Sequence, residues 1–144
     1  MKKKKNVLVV CTGNTCRSPL AEAYLKKYGS EHVNVKSAGV SAAYGHAISS
    51  GSKRVLEKEG IELDHASQPL SDELIQWADK VLTMSSAHKR IVEERYPYQN
   101  VSTLQEAAGR EGYDIQDPFG GTDEDYEQTA KMIKKAVKDF LRQS

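Results

Sequence analysis

Apolar positions along the chain fall into short unbroken runs and longer stripes at helical spacing, and the two alternate. Val7-Leu8-Val9-Val10 is a run of four, three of them β-branched, and reads as a short buried strand. The stretch after Ser18-Pro19, Leu20-Ala21-Glu22-Ala23-Tyr24-Leu25, predicts a helix over 19–28 with Pro in its first turn. Glu22 is expected near the positive end of that helix and Gly29 at its stop. A second strand is predicted over 33–37, leading into Ser37-Ala38-Gly39, and a helix over 48–59 is closed by Gly60. Ser71, with Asp72 and Glu73 behind it, reads as the N-cap of a short helix. A third strand follows over 80–84, then a helix capped by Ser85 or Ser86 that ends before Pro97, and a fourth strand over 101–104. Residues 112–121 read as a loop, and Thr122-Asp123-Glu124-Asp125 as a capping box with Asp in the place of Glu or Gln. The last helix carries Tyr126, Ala130, Ile133, Val137 and Leu141 on one face. Strands alternating with helices predict an α/β fold, a doubly wound parallel sheet whose ligand site lies beyond the carboxyl ends of its strands.

The chemistry is concentrated where the first strand gives way to the first helix. Cys11, Thr12, Gly13, Asn14, Thr15, Cys16, Arg17 and Ser18 are squeezed between strand end and helix start. A helix N-terminus offers unpaired backbone N–H groups, and a strand–loop–helix turn can curl the amides of residues 12–17 around one oxyanion. Cys11 would lie at the bottom of that positively polarised cup, placed as a nucleophile, and Arg17 adds a planar fork able to grip two phosphate oxygens. A buried core thiol would not require Gly13, Asn14 and Arg17 behind it. Cys11 and Cys16 would open a metal site only with further Cys or His close by, and none clusters near them in the sequence, so no metal or other cofactor is expected. The same spacing lets an oxidised Cys11 be trapped as a disulfide with Cys16.

Displacing a phosphoryl group requires a proton for the leaving group, and Asp117-Pro118-Phe119-Gly120-Gly121 suits that task. Pro118 restricts the backbone at Asp117, the two glycines let the loop fold back, and Phe119 is expected as an apolar wall shielding the carboxyl from water. Asp114 and Asp123 are the rival acids.

Charge narrows the partners. Lys and Arg number 21 against 20 Asp and Glu, a formal net charge of +1 that argues against nucleic acid or acidic membrane as a partner. Lys2 to Lys5 form a basic run that reads as a solvated tail. No stretch approaches the roughly 18 apolar residues of a membrane span, and no secretory core follows the lysines. With two cysteines, these features predict a cytoplasmic protein. The 144 residues suit one domain, and a monomer is expected.

The run Val-Cys-x-Gly-Asn-x-Cys-Arg-Ser-Pro at 10–19, Ser37-Ala38-Gly39, and Asp117-Pro118 ahead of a final helix resemble the low-molecular-weight protein phosphatase family. The resemblance spans the chain from first strand to last helix. It implies a four-stranded parallel sheet with helices on both faces, phosphorylated proteins as substrates, and a phosphocysteine mechanism without metal. It also implies roles: Cys11 as nucleophile, Arg17 as phosphate clamp, Asp117 as general acid, Asn14 and Ser18 as residues that shape the loop, and Ser37 and His65 as outer support for Asn14. Tyrosine phosphatases of the family usually carry a larger aliphatic where this chain has Thr15, and often an aromatic pair after Asp-Pro, where this chain has Phe119-Gly120. Thr15 and Asp-Pro-Phe-Gly-Gly resemble instead the bacterial branch that removes phosphate from protein arginine; tyrosine phosphatase is the alternative. Arsenate reductases share the loop but relay a disulfide to later cysteines, and this chain has none after Cys16. A non-catalytic phosphate-binding module would have no need of Cys11 and Asp117 together.

Overall fold

Val7, Leu8, Val9 and Val10 are all fully buried, which is why their run is unbroken instead of alternating: a central parallel strand is covered on both faces. In the computed structural model, which describes residues 4–110 and 114–143, this strand is β1, Lys5–Cys11. It is followed by α1 (Arg17–Gly29), β2 (Val33–Gly39), α2 (Ser50–Lys58), α3 (Asp72–Trp77), β3 (Lys80–Thr83) and α4 (Ser86–Arg95). The chain then runs through β4 (Val101–Thr103), α5 (Leu104–Ala107) and α6 (Asp123–Gln143). The strands form one parallel sheet in the order β2-β1-β3-β4. Lys2, Lys3 and Gly112, parts of the predicted tail and loop, lie outside the described residues.

Successive β1 side chains point to opposite faces. Val7, Val9 and Cys11 pack with Leu20, Tyr24, Tyr126, Ile133 and Val137 of α1 and α6. Leu8 and Val10 pack with Leu74, Ile75 and Val92 of α3 and α4. The sheet is therefore doubly wound, with helices on both faces. The chain leaves β1 for β2 on one side, then crosses to β3 on the other, so the order reverses between β1 and β3. The crevice at such a reversal, beyond the carboxyl ends, is where a ligand is received in this architecture; Cys11 ends β1 there.

Among the boundaries that differ from the pattern are the start of the first helix and the ends of the second and fourth strands. Helix α1 begins at Arg17, two residues early, because the loop ahead of it closes at Cys16 and Pro19 is tolerated inside the first turn. Glu22 consequently lies past that turn. It is no dipole partner but a buried carboxylate accepting from Ser37 Oγ at 2.5 Å and Lys26 Nζ at 2.6 Å. Strand β2 runs on through Ala38 and Gly39, which pair with Val10 and Cys11. Leu104 leaves the predicted fourth strand for α5, since Thr103 and Glu106 form a reciprocal capping box that starts a helix there. At α6 the anticipated box is present: Thr122 N–H donates to Asp125 Oδ2 at 2.9 Å and Asp125 N–H to Thr122 Oγ1 at 3.2 Å. Ser71 and Ser85 cap α3 and α4 through their hydroxyls.

Candidate active site

Residues 12–16 turn tightly between β1 and α1, and Asn14 is the pivot. Among the described residues it is the non-glycine one with a left-handed backbone, φ 57°, a conformation Asn tolerates better than most. It is fully buried, and its side-chain amide and its carbonyl all have partners. Oδ1 accepts from Gln68 N–H at 3.0 Å, the carbonyl accepts from His65 Nε2 at 2.6 Å, and Nδ2 donates to Ser18 Oγ at 2.7 Å. Ser18 Oγ in turn lies 3.0 Å from Cys11 Sγ. Having accepted from Asn14, the Ser18 hydroxyl keeps its single proton free, which sets a donor within reach of a Cys11 thiolate. Gly39 completes the turn by its lack of a side chain. A Cβ there would stand 2.4 Å from the Thr12 carbonyl and 3.0 Å from Asn14 N.

His65 thus touches Asn14 directly, and its Nδ1 lies 3.7 Å from Glu22. Burial works against a charge on Glu22, but hydrogen bonds from His65, Lys26 and Ser37 prevail and hold its carboxyl below the usual range. Ser37 has no direct hydrogen bond to Asn14. Its hydroxyl donates to Glu22, and its carbonyl accepts from Gln68 Nε2 at 3.0 Å, so its support reaches Asn14 through Gln68. Glu22 and Gln68 are site residues the sequence did not reveal, because neither lies in the motif and both arrive by folding.

Arg17 is buried, with Nη1 donating to the Ile115 carbonyl at 2.9 Å and Nη2 3.6 Å from Asp117 Oδ2. Ile115 N–H donates to the Met84 carbonyl at 2.9 Å, which ties the Asp117 loop to the end of β3. Asp117 Oδ1 accepts from Phe119 N–H at 3.0 Å, a local turn that leaves Oδ2 directed at the arginine. Both rival acids are engaged elsewhere: Asp114 caps α4 by accepting from Ser86 N–H and Oγ, and Asp123 pairs with Arg54 at 2.6 Å. Phe119 departs from its expected part. The residue is 79% exposed and the Asp117 side chain 49%, so the ring does not shield the carboxyl from water. Residues 119–122 at the loop tip are all exposed.

Cys11, Thr12, Gly13, Thr15, Cys16, Arg17, Asp117 and Phe119 together line one cavity of about 250 Å³. Cys16 is buried, its sulfur 3.7 Å from the Tyr126 hydroxyl, and both cysteines are free. A further residue was missed by the sequence reading: His88, buried one turn into α4, lies 2.8 Å from Thr12 Oγ1 through Nε2 and 2.8 Å from Ser85 Oγ through Nδ1. Its only sequence signal was its place three residues after an N-cap serine. Among the described residues no group of three or more His, Cys, Asp or Glu is arranged to hold a metal, and no helix is long and apolar enough to cross a membrane.

A family model described as low molecular weight phosphotyrosine protein phosphatase matches residues 6–144. A protein-arginine-phosphatase of Geobacillus stearothermophilus is 49% identical over 134 residues, covering 91% of this chain and 90% of its own. A solved structure of YwlE arginine phosphatase, a cysteine-to-serine mutant with a phosphorylated active site serine, superposes with a TM-score of 0.92 at 36% identity, covering 96% of this chain and 94% of that one. A low molecular weight protein tyrosine phosphatase from T. tengcongensis superposes with a TM-score of 0.91 at 39% identity, covering 98% and 100%.

Proposed function

The chain belongs to the low molecular weight phosphotyrosine protein phosphatase family, and from that premise we propose that it hydrolyses phosphoarginine in proteins through a phosphocysteine on Cys11. The single observation that carries the chemistry is the convergence of Cys11, Arg17 and Asp117 on one cavity from three separate places: strand end, helix start and distal loop. Cys11 thiolate attacks phosphorus in line, the P–N bond breaks, and Asp117 gives its proton to the departing guanidine nitrogen. Water then attacks the phosphocysteine, Asp117 takes its proton, the S–P bond breaks and phosphate leaves. Arg17 and the amides of residues 12–17 stabilise the equatorial oxygens in both steps. The phosphorylated active site serine of the relative supports a covalent intermediate.

The choice of arginine rests on Thr15, a half-buried residue of the cavity wall, and on the 49% identical relative named for that activity. A small side chain with a hydroxyl grips a phenyl ring less well than an aliphatic one and can orient a guanidinium. The neighbouring Asp117 favours a cationic leaving group. Phosphotyrosine is the second reading, favoured by the tyrosine phosphatase that matches this chain along its whole length. The test is kcat/KM on a phosphoarginine protein and a phosphotyrosine peptide, for wild type and Thr15→Ile. Wild type should prefer phosphoarginine. Thr15→Ile should shift preference toward phosphotyrosine by roughly ten- to two-hundredfold, the worth of one buried contact. A wild type that cleaves phosphotyrosine far better gives the site to the second reading.

A further inference from the structure

We propose that the Thr12 hydroxyl is a phosphoryl-binding donor of the cup, and that His88 is the positioning residue that keeps its proton turned toward the bound oxyanion; this rests on the phosphatase reading above. The observation is a relay, Thr12–His88–Ser85, built around the buried ring of His88, with both ring nitrogens 2.8 Å from a hydroxyl oxygen. Ser85 Oγ also accepts the His88 backbone N–H at 3.3 Å, as the N-cap of α4. A hydroxyl has one proton to give. With the ring proton on Nδ1, Ser85 Oγ would receive two N–H groups, and its own proton would have no acceptor among the described residues. With the ring proton on Nε2, Ser85 O–H donates to Nδ1, and the proton left outside the relay is that of exposed Thr12, which solvent or an oxyanion can accept. The network therefore assigns the Nε2–H tautomer.

The consequence falls on Thr12. Nε2–H donates to Thr12 Oγ1, so the threonine's own proton is not spent on the histidine. Thr12 is exposed on the wall of the Cys11 cavity, and an oxyanion held there is the acceptor within its reach. The opposite tautomer would consume that proton and present only lone pairs to a phosphoryl group. Burial, with the nearby Arg17 charge adding to it, pushes the pKa of His88 down to about 4, so the ring stays neutral and Nδ1 remains an acceptor at neutral pH. The Cys11–Ser18–Asn14 relay serves the nucleophile; this second relay approaches the same cavity from α4 and serves the oxygens.

The test uses the full chain. Thr12→Val removes the hydroxyl at constant shape and should lower kcat/KM roughly ten- to a hundredfold, with weaker inhibition by inorganic phosphate in step. Thr12→Ser should retain most activity. His88→Leu should match Thr12→Val, the double variant should be no worse than either, and His88→Gln, which keeps an amide donor near Nε2, should recover most of the loss. Histidine-selective 15N NMR of wild type should report the Nε2–H form, an answer that does not depend on His88→Leu folding. A Thr12→Val enzyme indistinguishable from wild type, additive losses in the double variant, or an Nδ1–H tautomer would each overturn the proposal. A wild type that turns over neither phosphoarginine nor phosphotyrosine removes the phosphatase reading itself, whereas normal wild-type turnover with an unaffected Thr12→Val removes only this one.

Discussion

Cys11 and Asp117 reach the same cavity, yet they differ in how firmly they are placed. The sulfur is buried and fixed by Ser18 at 3.0 Å, whereas the carboxyl is half exposed and held by its own loop turn and by Arg17 at 3.6 Å. The two variants should fail differently. Cys11→Ser should abolish turnover and leave inorganic phosphate binding intact, because the loop backbone and Arg17 remain; equilibrium phosphate binding beside a turnover assay checks this. Asp117→Asn should slow turnover by roughly two to four decades, the usual contribution of acid–base catalysis. The loss should be greatest on the substrate with the poorest leaving group, and near-normal turnover of such a substrate would remove Asp117 from its role. Cys11, Arg17 and Asp117 were legible in the sequence because their motifs are local. Glu22, Gln68 and His88 were not, since a buried polar residue looks like any exposed one until its partners are known.

The turn from β1 into α1 keeps its shape because β2 passes close beside it. Gly39 is the position that allows this, and the obstacle to any side chain there is backbone, the Thr12 carbonyl and Asn14 N, which cannot rotate away. Gly39→Ala should cost on the order of 1–3 kcal/mol, as overpacking does, and should lower kcat/KM by more than the stability loss explains, since the atoms displaced belong to the phosphate loop. A denaturant midpoint and kcat/KM on the same preparation separate the two effects. Strand β1, helix α6 and the cap at Ser71 could be read from pattern alone, whereas the choice of Ser85 over Ser86 could not. Helix α5 could not: the apolar Leu104 continues the β4 pattern, and only the bond pair between Thr103 and Glu106 turns the chain.

Across the molecule, acid should act through groups near the site. His88 has a folded pKa of about 4 against an ordinary 6.5. Between those values the unfolded chain binds a proton that the folded one refuses, so stability rises with pH across that window and is lost as pH falls through it, by up to about 3 kcal/mol. Glu22, held below its usual range, adds to the loss at more acid pH as its carboxylate is protonated. Urea unfolding at pH 7 and pH 4.5 should show the drop in wild type and a shallower one in His88→Gln; parallel slopes would remove His88 as its source. The sequence by itself determined the alternation of strands and helices, the parallel sheet and the loop at its carboxyl edge, because burial periodicity and turn chemistry act over a few neighbouring residues. It determined the chemistry of that loop for the same reason. Only the tertiary structure decided that the Asp117 carboxyl meets Arg17 directly, how Ser37 reaches Asn14 through Gln68, and that His88 stands behind Thr12. Those contacts join residues up to a hundred positions apart, and whether a polar side chain meets a partner or water is fixed by packing alone.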